Sequence, residues 1–393
     1  MYPSLYYLFS DLFGIKIAFL KAFQMFGCMV AISFLAASYV LSKELKRKEN
    51  EGLLHTFTEK VTIGQKASIL ELIGAFITAF IIGFKLVYIA LNFHDFLQDT
   101  QGFLLSIQGN WIGGIALGAI YTYMRYREKE KQRLPEPKLV EEQMHPYQLV
   151  GNITLVAAGG GLAGAKLFDG LENYKDFFAH PAQYLFSFSG LTMYGGLIVG
   201  AISVLYYARK KGISLIHLID AAAPAIMIAY SIGRIGCQMS GDGDWGIANA
   251  AHKPAWMSFL PDWMWSFNYP HHVAQFDPTR DIPIPNCMEQ YCYQLSPPAF
   301  PTPFYETVMC GILFFVLWGI RKKIKTPGVL FCIYLMMNGV ERFLIELIRV
   351  NIKYDIFGLQ ITQAQLIAPM LFLLGLVGIY YFRKRAANEQ IAT

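Results

Sequence analysis

APAIMIAYSIGRIGCQMSGDGDWG, residues Ala223–Gly246, is the stretch on which the reading of this chain turns. An apolar helical run passes into Gly233-Arg234-Ile235-Gly236 and then into a turn of glycines and acids. About 20 apolar helical residues cross the ~30 Å hydrocarbon core of a bilayer. A charge inside such a run costs several kcal/mol and by default marks a functional site or a specific partner. The small residues Gly233 and Gly236 allow close backbone approach and leave the Arg234 guanidinium free to grip a phosphate through paired N–H groups.

The rest of the chain has the same character. Of 393 residues, 54% are hydrophobic and only 16% charged, with mean hydropathy +0.36, whereas soluble domains carry about 25% charge. This excludes a disordered chain and, with 6 cysteines in all, a disulfide-stapled secreted mini-domain. Net charge is +5, but the cations do not cluster on a soluble domain, so no nucleic-acid partner is expected. The expectation is an all-α polytopic membrane bundle with nine spans, at 18–41, 68–91, 103–124, 148–168, 184–207, 214–235, 304–320, 328–347 and 365–382. The first is too long for the apolar core of a cleavable signal and lacks a small-residue cleavage site.

Lysine and arginine set the orientation. Segments 43–66, 125–138, 209–211, 321–325 and 383–385 hold 22 of them, and the opposite loops 92–102, 169–183, 237–303 and 348–363 hold 5. The N-terminus is therefore expected outside and the C-terminus in the cytoplasm. Lys16 and Lys21 sit at the mouth of the first span, while Lys85, Lys166, Arg234 and Arg342 fall within or at the edges of spans. Their candidate counter-charges are Glu71, Asp220, Glu306, Glu341 and Glu346.

Two hairpins look alike. Phe80–Ile89 (FIIGFKLVYI) and Ile112–Tyr121 (IGGIALGAIY) correspond to Gly161–Gly170 (GLAGAKLFDG) and Tyr194–Ser203 (YGGLIVGAIS). In each, Gly-x-Lys-Leu precedes Gly-Gly-x-x-x-Gly-Ala-Ile, and the lysine-to-glycine separations are 28 and 29 residues. Within one membrane domain, 1–393, residues 68–127 are thus expected to be an inserted hairpin, a duplicate of 148–210. Glycines at such spacing also serve helix packing alone.

In the eighth span, Arg342, Glu346 and Arg349 recur at i, i+4 and i+7, on one helix face. The carboxylate can orient one arginine while the other faces an anion, and two arginines near the outer leaflet suit a phospholipid headgroup. The outer segment 240–303 is aromatic and proline-rich, with Trp256, Trp263, Trp265 and Tyr269. It is read as a small extracytoplasmic head anchored by rings at headgroup level, or else as a solvated loop. Cys287 and Cys292, in the oxidising outer compartment, are expected to pair; Cys28, Cys237, Cys310 and Cys332 are expected free. No metal site is expected: Asp242-x-Asp244 reads as an exposed turn, and His271-His272 lack ligand spacing to a cysteine.

These motifs resemble those of the prolipoprotein diacylglyceryl transferases. That family carries Gly-Arg-x-Gly-Asn-Phe-x-Asn-x-Glu and then Trp-Gly, against Gly233–Asp242 and Trp245-Gly246 here, one residue longer. Asp220 with Ala223-Pro224 resembles its Asp-x-x-Ala-Pro, PTPFYE (Pro301–Glu306) its Pro-Ser-Gln-Leu-Tyr-Glu, and ERFLIELIR (Glu341–Arg349) its Arg-Phe-x-x-Glu-x-x-Arg. LTMYGGLIVG (Leu191–Gly200) is similar to Ser-Phe-His-Gly-Gly-Leu, and ITQAQLIA (Ile361–Ala368) to Thr-x-Gly-Gln. The matches run in family order from about 148 to 370, with Phe26-Gly27 against a Tyr-Gly in the first helix.

The resemblance implies an enzyme of the bacterial cytoplasmic membrane. It moves a diacylglyceryl group from phosphatidylglycerol to the lipobox cysteine of a prolipoprotein signal peptide and releases glycerol phosphate, with no cofactor. Arg234 and Arg342 would bind the phosphate, with Glu346 orienting Arg342. Gly233, Gly236, Lys166, Arg349, Tyr305 and Glu306 would line the substrate site, and Asp242 or Asp244 would help position the peptide. Tyr194 stands where the family has a histidine, Cys237 and Ser240 where it has asparagines, and Asp242 where it has a glutamate. A phenol, unlike imidazole, is largely protonated near neutral pH, so Tyr194 acts as a base only in a cationic field. The family has about seven spans, so spans two and three look inserted. A transporter or flippase, which also uses broken helices and buried cations, and an inactive lipid-binding paralogue are the competing readings.

The cation split gives a direct test. Reporter fusions after residues 130 and 323 should report cytoplasmic locations, and one within 92–102 an external one; the reverse pattern would overturn the assigned orientation.

Overall fold

The computed structural model describes the whole chain except residues 99, 180–191, 288–289, 352, 357–358 and 393. Nine long helices dominate the described residues: α1 Met25–Asn50, α2 Ile69–Leu91, α3 Trp111–Lys131, α4 Val150–Glu172, α5 Met193–Lys210, α6 Leu215–Ser240, α7 Thr302–Ile320, α8 Val329–Glu346 and α9 Gln363–Ala392. The protein is a helical polytopic membrane protein. Six helices (α1, α2, α4, α6, α7 and α9) are long and apolar enough to cross a bilayer. The nine expected spans thus include three helices, α3, α5 and α8, whose apolar stretches are diluted by glycines or charges, such as Arg125–Lys131 in α3 and Glu341, Arg342 and Glu346 in α8. The chain forms two compact units, residues 55–212 and the remainder.

Two starts differ from the expectation, and α1, α3 and α9 run on to Asn50, Lys131 and Ala392, past the expected ends at 41, 124 and 382. The first span does not begin at residue 18. Residues 5–13 form a short helix that ends at Gly14 in the left-handed conformation (φ 68°), and Ala18–Ala22 is a separate 3₁₀ turn. Gly14, Lys16 and Lys21 interrupt the apolar run, so the chain folds back instead: Leu5 N donates to Phe23 O (2.9 Å) and Tyr2 N to Met239 O (2.9 Å). The third span begins at Trp111 rather than 103, because Asn110 caps α3 by accepting from Gly113 N at 2.7 Å. Part of the fifth expected span, 184–191, lies outside the described residues.

In the unit 55–212, strands β1 (Phe57–Ile63) and β2 (Lys138–Met144) pair antiparallel, Phe57 opposite Met144. They bracket the α2–α3 hairpin and precede α4–α5. Both hairpins close through glycine. A Cβ at Gly83 would collide with the Gly113 carbonyl and the Leu117 side chain, and one at Gly164 with the Gly195 carbonyl and Val199. The reciprocal contacts, Gly113 with Val87 and Gly195 with Phe168, recur four residues along each helix. Lys85 meets carbonyls rather than any of the expected carboxylates. Its Nζ donates to Gln108 O (2.9 Å), Phe103 O (3.0 Å), Ser106 Oγ (3.1 Å) and Ser106 O, so it holds the connector leading to α3. Glu71 pairs instead with Lys129 (3.3 Å) and Arg125 (3.5 Å).

In the other unit α6 is the most enclosed of the six apolar helices and packs on α1, α7 and α8. Its first turns are tied by Asp220, which accepts from Gly328 N (2.8 Å) and Phe331 N (3.0 Å) and so satisfies open amides at the start of α8. Lys48 lies 3.8 Å from the same carboxylate. Asp220 is therefore a helix cap rather than a counter-charge for an intramembrane arginine.

The segment 240–303 has its own core, Trp245, Tyr269, Leu295 and Ala299, with Met1 packed against it. Strands β3 (Asp281–Pro283) and β4 (Tyr293–Leu295) pair beside it. Trp256 is largely exposed, but Tyr269, expected as a surface anchor, is fully buried. Its ring meets Trp245, and its hydroxyl donates to Gln238 Oε1 at 3.0 Å. Cys287 and Cys292 form the expected disulfide, and Cys28, Cys237, Cys310 and Cys332 are free thiols. Alkylation of the denatured protein without reductant should therefore modify four cysteines, and after reduction six; six without reductant would refute the bridge.

Candidate functional site

At the end of α6 farthest from Asp220, Arg234 points into a buried cluster of ionised side chains. Its Nε lies 3.0 Å from Glu306 Oε2, and its Nη1 pairs with Asp244. Arg342 Nη1 reaches Glu306 Oε1 at 3.1 Å and Arg349 Nη1 reaches the same oxygen at 3.3 Å, while Arg349 Nη2 pairs with Asp244. Arg342 Nη2 lies 3.4 Å from Glu346 Oε2, as the i, i+4 spacing predicts. The Arg234–Glu306 Oε2 and Arg342–Glu346 contacts are ionic rather than directed hydrogen bonds. Three guanidinium groups thus converge on one carboxylate whose side chain is 0% exposed.

Separate elements place these groups. Glu306 comes from the N-terminal part of α7, after Pro301 and Pro303, and Arg342 and Glu346 from the last turns of α8. Arg349 does not continue that helix face, because α8 ends at Glu346. It converges by another route: Gly246 bridges to Arg349, and Ile247 N donates to Ile348 O at 2.8 Å. A Cβ at Gly246 would strike the Ile348 carbonyl, so this crossing requires glycine. Asp244 sits on the turn after α6, where Gly241 and Gly243 have φ of 65° and 103°. Thr302 Oγ1 holds its carbonyl at 2.8 Å.

Tyr305, Gly236 and Gly233 have surroundings of their own. Tyr305 turns toward the head, its hydroxyl donating to Met264 O at 2.8 Å, because its neighbour Glu306 takes the inward side of the helix turn. Gly236 packs on α1, where an added Cβ would lie 3.0 Å from Met29 Cβ, and Gly233 faces open space. Tyr194, half-buried at the start of α5, and Lys166 in α4 belong to the unit 55–212. Gly195, next to Tyr194, is the residue pressed against Gly164.

The sequence reading missed Tyr230, Asn351 and the isolation of Glu341. Tyr230 donates to Glu306 Oε1 at 3.0 Å, and the Arg234 guanidinium lies over its ring at 5.2 Å. Its position one helical turn before Arg234 was the available signal. Asn351 donates to Glu346 Oε1 at 2.6 Å. Glu341, expected as a counter-charge, is buried and makes no hydrogen bond among the described residues.

Asp244 and Asp242 are held oppositely. Burial disfavours the Asp244 carboxylate, but Arg349 and Arg234 outweigh it and hold its pKa below the ordinary value. Burial and the Asp244 charge push Asp242 up. Cys237 Sγ and oxygens of Asp242 and Asp244 lie within 4.8 Å of one another, a spacing compatible with a cation. Asp244 is already neutralised by two guanidinium groups, so its chemistry here is that of an arginine partner.

The described residues thus define a helical membrane protein with a buried, charge-paired arginine centre at one end of α6. The model of the family "Prolipoprotein diacylglyceryl transferase" matches residues 136–381, which carry the whole arginine centre. The chain belongs to this family. Relatives named phosphatidylglycerol–prolipoprotein diacylglyceryl transferase include one from Dehalococcoides mccartyi, 26% identical over 62% of this chain and 82% of its own length. One from Streptococcus agalactiae is 28% identical over 58% and 78%, and one from Leptospira interrogans is 25% identical over 83% and 71%.

The hub geometry orders the effects of substitution. Removing one partner of a buried ion pair costs about 3–5 kcal/mol, against about 1.5–3 kcal/mol for a hydrogen bond to a charged group and about 1 kcal/mol for a neutral one. Thermal unfolding in detergent should therefore rank Glu306→Gln as most destabilising, then Tyr230→Phe, then Tyr305→Phe. A Glu306→Gln protein as stable as Tyr305→Phe would remove Glu306 from the centre of the arrangement.

Proposed function

We propose that this chain transfers the diacylglyceryl group of phosphatidylglycerol to the cysteine thiol of a prolipoprotein, with the arginine centre holding the phosphate. The thiol sulfur forms a bond to the glyceryl carbon as the carbon–oxygen bond to phosphate breaks. The electron pair leaves on the phosphate oxygen, the thiol proton is lost, and glycerol phosphate departs. Guanidinium groups aimed at that oxygen stabilise the charge that develops on it. The observation that carries this reading is the convergence of Arg234, Arg342 and Arg349 within the family-matched residues. Arg342, with 22% of its side chain exposed against 8% for each of the others, is the arginine most open to a ligand.

The finer assignments belong to the same proposal. The acceptor is the lipobox cysteine of a signal peptide, entering from the lipid and passing under the 240–303 head. The enzyme lies in the bacterial cytoplasmic membrane with nine spans, N-terminus outside and C-terminus inside. Tyr194 contributes a hydroxyl to phosphate or thiol, Lys166 a positive charge, and Asp242 helps seat the peptide. The α2–α3 hairpin is an inserted duplicate of α4–α5. The shared glycine contacts support this, as does its position before the family-matched residues.

The test is incorporation of labelled glycerolipid from phosphatidylglycerol into a lipobox peptide by the purified protein. Arg234→Ala and Arg342→Ala should each lower transfer at least a hundredfold, about 2.7 kcal/mol of barrier, with insertion intact. Lysine at either position should restore little, because a point charge lacks the planar fork. Near-normal transfer by both alanine variants would overturn the proposal.

A further inference from the structure

Every arginine of the centre is already paired with a protein carboxylate. Arg234, Arg342 and Arg349 contact Glu306, Glu346 and Asp244. A substrate phosphate that engages Arg234 and Arg349 through their paired N–H groups must displace one of these anions. The three carboxylates are not equally held. Glu306 and Glu346 have fully buried side chains, each with a further donor, Tyr230 at 3.0 Å and Asn351 at 2.6 Å. The Asp244 side chain is 35% exposed. Besides the two arginines its carboxylate meets only the Cys237 thiol, a weak donor at 3.9 Å, among the described residues.

The turn that carries Asp244 is built so that the side chain moves alone. Its backbone is fixed by Thr302 Oγ1 on the carbonyl (2.8 Å) and Asp242 Oδ1 on the amide (3.3 Å). The glycine-shaped turn and the buried Trp245 hold either side. Rotation about the Asp244 side-chain bonds therefore frees one N–H group on each of Arg234 and Arg349 without moving an element. Charge supports the exchange. With Asp244 turned away, three guanidinium groups face two contacting carboxylates, an excess of one positive charge, which a phosphodiester's single negative charge cancels.

We propose that Asp244 is a placeholder anion, occupying on Arg234 and Arg349 the positions that the substrate's phosphate takes and swinging toward solvent as that phosphate binds. This rests on the reading of the centre as a phosphate site. It makes Asp244 a competitor of the substrate, in contrast to Glu306, which holds the arginines in place in both states.

The test uses full-length protein in detergent with glycerol phosphate as the probe, and vesicles of phosphatidylglycerol for KM. Asp244→Asn keeps the side chain's size and removes its charge; Asp244→Ala removes the carboxylate altogether. Both should bind glycerol phosphate about tenfold more tightly than the unmodified protein and lower KM by a similar factor. Unfolding midpoints identify any variant that has lost its fold, in which case the other is read. Unchanged or weaker binding in a folded variant would overturn the placeholder role and make Asp244 a positioning residue. Arg349→Ala separates the two levels. If it abolishes binding, the phosphate reading stands whatever Asp244 does; if it leaves binding unchanged, the phosphate reading itself fails.

Discussion

Glu306 is the constraint on which the centre depends. A guanidinium group loses several kcal/mol of hydration when buried, and three together also repel one another. Arg234, Arg342 and Arg349 are tolerated beside the apolar bundle because one fully buried carboxylate touches all three. Tyr230 then fixes the orientation of that carboxylate from the same helix that supplies Arg234. The result is three guanidinium groups gathered on one carboxylate whose own orientation is set from α6.

The helices follow from this requirement. α6 has to be held in depth for Arg234 to meet Glu306, and it is pinned at both ends by polar contacts: Asp220 on the first amides of α8, and Arg234 on α7 and the Asp244 turn. The head segment is part of the same arrangement. Its core contains Trp245, the residue after Asp244, so packing of the head fixes the backbone beside that carboxylate. The N-terminal residues close this end through Tyr2 N on Met239 O and Met1 against the head core.

The unit 55–212 solves a different problem with different chemistry. Between apolar helices the hydrophobic effect supplies no discrimination in lipid, and close packing of small residues takes its place. Gly83 with Gly113 and Gly164 with Gly195 bring backbones into contact. Lys85 meets carbonyls of a connector rather than an acid. Backbone oxygens that have no intrahelical partner are sufficient acceptors for an ammonium group.

The sequence by itself determined the helical membrane architecture, since charge-poor runs of spanning length have no other stable state in a bilayer. It also marked Arg234, Arg342 and Glu346, because a charge in such a run is too costly to be incidental, and it marked the Cys287–Cys292 pair through closeness and compartment. Local pattern could not reveal that Arg349 reaches the site through a bridge to Gly246 rather than along a helix face, or that Tyr305 and Glu306, adjacent in sequence, point to different places. Nor could it show that Asp220 caps α8 across 108 residues, or that Lys85 meets carbonyls. Periodicity specifies which residues share a face, but it carries no information about what lies opposite. Only the packing of α6 against α7 and α8 decided that three arginines share one glutamate, because contact between distant segments is fixed by the shape and charge of the whole assembled core.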